Sequence, residues 1–163
     1  MMDNNSIETL GELVISKTDP AFGRKLLEFG SCGYSAAAYT AARCDSLSLT
    51  DKDPDLQQKL GAEAEKCGAQ LIPDSELGED CYFGRFHLVY TLFGFRGLPH
   101  LVDEIMRLRR LILKGGKMLI ADYEDESFDA ECVKQLKRCG FTQINTETFV
   151  LDGKKAFLIT AEK

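Results

Sequence analysis

The sequence contains no uninterrupted apolar run long enough to cross a bilayer, so we expect no membrane-spanning segment. Its first ten residues, MMDNNSIETL, are polar and acidic and lack the apolar core of a secretion signal, so we expect no export. Basic residues are fewer than acidic ones, 20 against 26, which gives a formal net charge of -6. An acidic chain is poorly suited to following a phosphate backbone, and nucleic acid is therefore an unfavourable partner.

The six cysteines form no CxxC pair, and the two histidines do not cluster with them. The cysteines are Cys32, Cys44, Cys67, Cys81, Cys132 and Cys139. A zinc site requires closely spaced cysteine and histidine ligands, so the sequence predicts no metal site. Scattered cysteines in a chain without an export signal are typical of reduced thiols, and we expect a cytoplasmic protein.

Internal repeats, low-complexity segments and linkers are also missing, and 163 residues suit one domain with a sizeable core. We therefore expect a single domain over residues 1–163. It consists of an N-terminal helix and lead-in at 1–20 and a core at 24–163. Short apolar runs alternate with amphipathic stretches along the core, and this alternation predicts an α/β fold with a parallel sheet.

The pattern predicts seven strands and five helices. The predicted strands are RKLLEF, SLSLT, AQLI, RFHLVYTLF, KMLIADY, FTQINTETFVL and KKAFLITAEK, and the predicted helices span residues 5–17, 34–43, 54–67, 98–112 and 128–139. Asp53 and Pro54 open the third helix as N-cap and first-turn residue. Pro99 suits the first turn of the fourth helix, and Gly115-Gly116 is expected to end it. Asp152-Gly153 joins the last two strands as an antiparallel hairpin.

A glycine-containing turn follows the first predicted strand, where Leu26-Leu27 leads into EFGSCGYSAAAYTAAR. Its spacing, with Gly30 and Gly33, does not fit the GxGxxG dinucleotide fingerprint, and the chain has no GK[ST] of a P-loop. A turn from strand to helix presents N–H groups at the positive end of the helix dipole, and glycine lets a ligand approach the backbone. The turn is therefore a candidate ligand-binding loop, the alternative being an ordinary tight turn.

Four motifs in this order resemble the class I S-adenosylmethionine-dependent methyltransferase family. They are LLEFGSCGYS after strand one, LTDKDP after strand two, FHLV in strand four and LILKGGKMLIADY at the turn into strand five. The resemblance runs from about Arg24 to the C-terminus. It implies a Rossmann-like seven-stranded mixed sheet flanked by helices, with a C-terminal antiparallel hairpin. It also implies methyl transfer from S-adenosylmethionine, with S-adenosylhomocysteine as product.

The sequence departs from the family pattern at two positions. In the first loop, either Cys32 stands where the family has its second glycine or the loop is one residue shorter. Strand four has Phe86-His87 where the family often has Phe-Asp. A histidine within an apolar strand is more often a core or edge residue than a catalyst, so we do not expect His87 to act in catalysis.

The resemblance also implies a set of cofactor-binding residues: Glu28, Gly30, Ser31, Gly33, Asp51, Asp74 and Thr91. The loop from Glu28 to Gly33 would hold the methionine part of the cofactor, with Glu28 acting on the amino group directly or through water. Asp51 would accept hydrogen bonds from both ribose hydroxyls, as a carboxylate can. Asp74 would lie near the adenine amino group. For Asp51 the alternative is a solvated loop acid, whereas Asp53 is explained by its role as N-cap.

Ligands in open α/β sheets bind beyond the carboxyl ends of the strands, which directs attention to residues 90–93 and to Asp122 and Tyr123. Phe93, Phe95 and Tyr123 are a candidate aromatic wall near the sulfonium, with core packing as the alternative. The sequence assigns no residue to catalysis. His100 and Tyr123 are candidates, and for His100 the alternative is a surface histidine.

Methyl transfer needs little chemical assistance from protein side chains, because the methyl donor is already activated as a sulfonium. The chain has no large insertion, so only the helix at 5–17 and the acidic loop at 73–85 are left to cover an acceptor. We expect a small acceptor or one delivered by a partner protein, and a homodimer is a further alternative. The leading interpretation is a methyltransferase acting on an unidentified small-molecule or protein acceptor. The alternatives are a non-catalytic methyltransferase-like binding or regulatory module, and a fold that binds a different nucleotide.

Overall fold

A computed structural model describes residues 4–30, 35–125 and 127–163. Within these residues it contains seven strands and five α-helices. The strands are β1 Lys25–Phe29, β2 Ser46–Thr50, β3 Gln70–Leu71, β4 Phe86–Leu92, β5 Ile112–Tyr123, β6 Thr142–Leu151 and β7 Lys154–Glu162. The helices are α1 Asn4–Ser16, α2 Ala37–Ala41, α3 Pro54–Cys67, α4 Leu101–Leu111 and α5 Phe128–Arg138. Among these helices none has the length and apolar character needed to cross a membrane.

All seven strands form one sheet in the order β3-β2-β1-β4-β5-β7-β6. The first five pair in parallel, and β7 runs antiparallel between β5 and β6. The predicted mixed sheet with a C-terminal hairpin is confirmed. Strand order reverses between β1 and β4, so the connections leaving these two strands diverge and open a crevice at their carboxyl ends.

Helices cover the sheet on both faces, and each face has its own apolar core. One core packs Ile105 and Leu108 of α4 and Leu136 of α5 against the sheet. The other packs Leu10 of α1 and Leu60 of α3, together with the alanines at the start of α2. Alternate residues of β4 enter the two cores, which explains why this strand reads as a nearly continuous apolar run.

Several local predictions are confirmed. Asp53 is the N-cap of α3, and its side chain accepts a hydrogen bond from the backbone N–H of Asp55 at 2.9 Å. Asp152 and Gly153 join β6 to β7 with φ of 51° and 72°, the positive values that a two-residue hairpin turn requires. These features depend on a few neighbouring residues, so short sequence signals were sufficient to predict them.

The prediction that Gly115-Gly116 ends the fourth helix is wrong. That helix begins at Leu101 and ends at Leu111, and β5 starts at the next residue. The prediction that Pro99 lies in its first turn is also wrong, because Pro99 precedes the N-cap, His100. Both glycines lie inside β5, in a bulge, and pair with the end of the chain: the Gly115 N–H donates to the Lys163 carbonyl at 3.1 Å. A Cβ at Gly116 would lie 2.7 Å from the Ile112 side chain, so the glycine is needed for close packing in the bulge.

Two other segments differ from expectation. Helix α2 ends at Ala41 rather than Arg43, because the Asp45 N–H already donates to the Arg24 carbonyl at 2.9 Å and draws the chain into β2. The loop 73–85 must run from the carboxyl end of β3 to the amino end of β4. It packs along α4, where the Gly84 N–H donates to the Arg110 carbonyl. Only its first residues lie at the carboxyl edge, so the loop as a whole does not cover that edge.

Candidate functional site

Glu28 lies near the carboxyl end of β1 and is 1% exposed. Its Oε2 accepts hydrogen bonds from the backbone N–H of Ala36 at 3.1 Å and from the Tyr90 hydroxyl at 2.8 Å. The Tyr90 oxygen also lies 3.2 Å from the hydroxyl of Thr40 on α2. This carboxylate therefore ties β1 to β4 and to the start of α2.

Tyr90 keeps its proton in this network. Its burial, followed by the neighbouring charge of Glu28, holds the pKa of the Tyr90 phenol well above its usual value. The phenol is therefore a permanent hydrogen-bond donor to the carboxylate. The assignment of Glu28 to the cofactor's amino group stays a prediction, and the structure shows that its carboxylate orders the chain's own backbone.

The turn after β1 touches the turn after β4 through backbone atoms. Gly30 has φ of +55°, its N–H donates to the Thr50 carbonyl at 3.0 Å, and its carbonyl accepts from the Thr91 hydroxyl at 3.3 Å. A Cβ placed on Gly94 would lie 1.5 Å from the Gly30 oxygen. Two predicted cofactor-binding residues, Gly30 and Thr91, therefore hold the two turns together.

The remaining predicted residues of this loop, Ser31 and Gly33, lie outside the described residues, as does Cys32. Their assignment to the cofactor's methionine part stays a prediction. The described flanks are Gly30 on one side and Ser35 on the other. The backbone N–H of Ala37 donates to the Ser35 hydroxyl at 3.1 Å.

Asp51 directly follows β2 and is 5% exposed. Its Oδ1 accepts a hydrogen bond from the Asp53 N–H at 2.9 Å. Burial is the main cause of a raised pKa at the Asp51 carboxyl, partly offset by backbone hydrogen bonds. The preceding hydroxyl oxygen, on Thr50, is buried and has no hydrogen-bond partner among the described residues. The end of β2 therefore carries the Asp51 carboxylate as a candidate acceptor for a ligand with hydroxyl donors, while the Thr50 hydroxyl lies within the sheet.

Asp74 lies in an ion-pair network that joins the strand ends to α4. Its Oδ1 is 2.6 Å from Nη2 of Arg107, which also lies 2.6 Å from Oε1 of the buried Glu104. Lys52, next to Asp51, forms an ion pair with Glu104 as well. Leu98 and other residues complete a cleft of about 270 Å³ between this network and the start of α4.

The ion-pair network was not predicted from the sequence. Glu104 and Arg107 are three residues apart on one helix, a spacing that is visible in the sequence. Their partners Lys52 and Asp74 follow other strands, and no sequence signal links them to α4. His100, a candidate catalytic residue, is the exposed N-cap of α4 at the edge of the cleft.

Asp122 stands at the carboxyl end of β5 and is 3% exposed. Its Oδ1 accepts hydrogen bonds from Arg96, with Nη2 at 3.0 Å and Nε at 3.2 Å, and from the Tyr123 N–H at 2.7 Å. Its Oδ2 is buried without a hydrogen-bond partner in the part of the chain that the structure describes. Burial raises the pKa of this carboxyl, and Arg96 opposes the rise. Sequence reasoning missed Arg96, which lies in a loop without periodicity.

The three aromatic residues proposed for a wall separate into two places. Phe93 and Tyr123 pack together with ring centroids 4.8 Å apart, at the ends of β4 and β5. Phe95 packs against Phe29 in the core on the other face, with centroids 6.0 Å apart. Phe93 has φ of +61°, a strained backbone value for an aromatic residue. Phe93 is also buried in the core beneath α1, so it and its tilted partner Tyr123 are left as the aromatic pair at this edge.

His87 lies at the opposite, amino edge of the sheet, near the start of β4. Its Nδ1 accepts a hydrogen bond from the Lys25 N–H at 3.4 Å. Among the described residues no group of three or more His, Cys, Asp or Glu is arranged to hold a metal ion.

By sequence, no protein-family model and no curated protein matches the chain significantly. By structure, it is similar to a SAM-dependent methyltransferase from Aquifex aeolicus, with 16% identity, 99% of this chain and 98% of that chain covered, and a TM-score of 0.72. A second match is 1,6-didemethyltoxoflavin-N1-methyltransferase from Burkholderia thailandensis, solved with bound 1,6-didemethyltoxoflavin and S-adenosylhomocysteine. It has 15% identity, covers 99% and 79% of the two chains, and has a TM-score of 0.73.

A third match is the [4+2]-cyclase SpnF, with 13% identity, 96% and 80% of the two chains covered, and a TM-score of 0.76. Structural similarity at such low sequence identity establishes the fold only, and the activity has to be argued from the residues of the site. The chain has the Rossmann-like fold of the class I methyltransferases, and the fold implied by the sequence resemblance is confirmed.

Proposed function

We propose that the chain is an S-adenosylmethionine-dependent methyltransferase that acts on a small-molecule or protein acceptor. The observation that carries the proposal is the position of Asp51. It is a buried carboxylate at the end of β2, beside the Gly30 turn, at the edge where strand order reverses. The fold shared with methyltransferases that bind this cofactor supports the same assignment.

The described residues fit the cofactor. Asp51 offers its carboxylate to the hydroxyl donors of a ribose. Glu28 orders the start of α2 beside the turn, and Phe93 with Tyr123 forms an apolar wall at the ends of β4 and β5. Bound S-adenosylmethionine supplies a methyl group that is already activated as a sulfonium. The chain's own task is then to hold both reactants in line and to exclude water.

A calorimetric titration with S-adenosylmethionine, and then with S-adenosylhomocysteine, tests this proposal. We expect micromolar binding. Asp51→Asn should weaken it by about 1–3 kcal/mol, or roughly 5- to 150-fold in Kd, because a neutral amide replaces an ionised acceptor. Asp53→Asn is the matched control, since it changes a neighbouring acid whose side chain caps α3. Unchanged affinity in Asp51→Asn would remove that residue from the site.

The second candidate is a non-catalytic methyltransferase-like binding or regulatory module. Cys32, at or next to the position of the family's second glycine, favours it. The [4+2]-cyclase has a different activity on a similar fold, so the fold alone does not require methyl transfer. Failure of the well-folded protein to bind either ligand would contradict the enzyme and favour the module. In Cys32→Gly, tighter binding would show that the cysteine impairs an inherited pocket, and weaker binding that the loop is rebuilt around it.

We infer a small acceptor in preference to a protein. The N-terminal end of α1 reaches the carboxyl edge, where the Ser6 hydroxyl donates to Asp152 of the β6–β7 turn, so this helix is placed to cover a small molecule. The Burkholderia neighbour contains bound 1,6-didemethyltoxoflavin.

We also propose that the protein is cytoplasmic, since the described cysteines are free thiols.

A further inference from the structure

A second concave site lies at the amino edge of the sheet, opposite the candidate cofactor site. It is a cavity of about 150 Å³ between the end of α1, the start of β4 and the bulge of β5. His87 lines it, and the candidate cofactor residue Thr91 lies four residues further along β4, about 13 Å away at 3.3 Å per residue. The two sites therefore do not share side chains.

Positive charge surrounds this amino-edge cavity. Lys17, Lys114 and Lys117 line it, against a single acidic residue, Asp19, among the described lining. This is the reverse of the chain as a whole, in which acidic residues are in excess. A concave surface with one sign of charge concentrates ions of the other sign.

Two of these charged side chains already have partners within the chain. Lys17 forms an ion pair with Glu147 on β6. Asp19 caps a short 3-10 turn, and its Oδ1 accepts from the Ala21 N–H at 2.9 Å. Lys117 lies opposite Glu162 in the β5–β7 pairing, and no ion pair within 4 Å joins these two residues. Lys114 is exposed at the edge of the cavity. Lys114 and Lys117 are therefore the cations that remain for a ligand.

His87 adds a hydrogen-bond donor. Because its Nδ1 accepts from the Lys25 N–H at 3.4 Å, the ring proton is on Nε2. A Cβ at Gly23 would lie 3.6 Å from Cε1 and 3.7 Å from Nε2, so the glycine leaves this edge of the ring uncovered. The same Cβ would lie 3.1 Å from Oδ2 of Asp45, a carboxylate oxygen that already accepts a hydrogen bond from the Arg24 N–H at 2.7 Å. Gly23 has φ of +84°, which disfavours any other residue there.

We propose that this cavity binds a small oxyanion, either a free phosphate or carboxylate or the anionic end group of a small metabolite. A cavity of about 150 Å³ has room for one such group. Lys114 and Lys117 supply the charge, and the His87 Nε2–H supplies a directed hydrogen bond. This site is independent of the proposed methyl transfer, because it lies at the other edge of the sheet.

The test measures the midpoint of thermal unfolding against inorganic phosphate at constant ionic strength, with sodium chloride as the compensating salt. A ligand bound only by the folded state lowers the unfolding equilibrium constant about elevenfold at ten times its Kd. We expect phosphate to raise the midpoint of the wild type. The double variant Lys114→Gln/Lys117→Gln should lose this rise, and His87→Asn, which keeps an acceptor for Lys25, should reduce it.

Lys59→Gln is the matched control, because it removes one exposed lysine from α3, away from the cavity, and should keep the full rise. Lys114→Gln alone serves if the double variant does not fold. Acetate and glycerol 3-phosphate distinguish the possible ligands. If glycerol 3-phosphate raises the unfolding midpoint more than inorganic phosphate does, the ligand is the end group of a metabolite. If acetate raises the midpoint, the ligand is a carboxylate. The proposal is overturned if the wild type responds to ionic strength alone, or if the rise persists in the double variant.

Discussion

At the scale of single residues, the buried carboxylates near the strand ends differ in what their oxygens contact. Glu28 accepts hydrogen bonds from within the chain, from the Ala36 N–H and from the Tyr90 hydroxyl. Asp122 has one oxygen held by Arg96 and one without a partner among the described residues. A buried carboxylate is costly unless donors surround it, so each contact can be tested by its effect on stability.

Tyr90→Phe removes one donor from Glu28 without changing the shape of the ring. We expect the free energy of unfolding to fall by about 1.5–3 kcal/mol, the range for a hydrogen bond to a charged group. Urea unfolding measures it. Tyr39→Phe is the control, since that ring packs under Gly11 and its hydroxyl lies outside the Glu28 network. Equal stability of Tyr90→Phe and wild type would mean that the carboxylate does not depend on this phenol.

The raised pKa of Asp122 predicts that the stability of the protein depends on pH. Burial raises its folded-state pKa, so the folded protein holds the carboxyl proton more firmly than the unfolded chain. The resulting stabilisation is fully present below the unfolded pKa of about 3.9 and is lost as the pH rises through the folded pKa. Asp122→Asn carries no such proton. The stability of wild type relative to Asp122→Asn should therefore fall as the pH rises through this window, as measured by urea unfolding at several pH values. Parallel curves would contradict the assignment.

At the scale of elements, the turns after β1 and β4 are packed against each other with no space for a side chain at Gly94. The contact brings the candidate cofactor loop next to Phe93, whose positive φ marks a strained turn. Strain of this kind persists only where the surrounding packing enforces it. Gly30, at the start of the turn after β1, is therefore fixed against the turn after β4, at the crevice where strand order reverses.

Gly94→Ala tests this contact. Its Cβ would lie 1.5 Å from the Gly30 oxygen and 2.4 Å from the Thr91 hydroxyl, so the turns must separate. We expect destabilisation of about 1–3 kcal/mol or more and a loss of affinity for S-adenosylmethionine. Gly78→Ala, where nothing lies within 4 Å of the added carbon, should change neither quantity. Denaturant unfolding and calorimetry check both, and normal affinity in Gly94→Ala would show that the contact does not shape the site.

At the scale of the whole molecule, burial in the two cores determines which thiols react. Burial raises the pKa of Cys132 to about 12 and that of Cys44 to about 11. Cys81 is exposed. A thiol reacts as its thiolate, so raised pKa and poor access both slow alkylation.

Among the five cysteines that the structure describes, we therefore expect iodoacetamide at pH 8 to alkylate Cys81 first and Cys132 last in the native protein, as followed by peptide mass spectrometry. In concentrated guanidinium chloride the two rates should become similar, because both sites are then exposed. Native Cys132 reacting as fast as Cys81 would mean that the core around α5 opens readily.

The sequence by itself determined the features that depend on neighbouring residues. Periodicity located the strands and helices, Asp53 with Pro54 marked the start of α3, and Asp152-Gly153 marked the hairpin. The prediction from Gly115-Gly116 was wrong because a glycine pair can end a helix or form a bulge in a strand. Only the backbone pairing with Lys163 distinguishes these two structures.

Only the tertiary structure decided what each candidate side chain contacts. Glu28 and Tyr90 are 62 residues apart, and Asp74 and Arg107 are 33 apart. Arg96 reaches Asp122 from a separate loop, and His87 lies at the amino edge, away from the predicted cofactor residues. The physical reason is that local signals act over about one helical turn, whereas contacts between strand ends depend on sheet order, which no short segment contains.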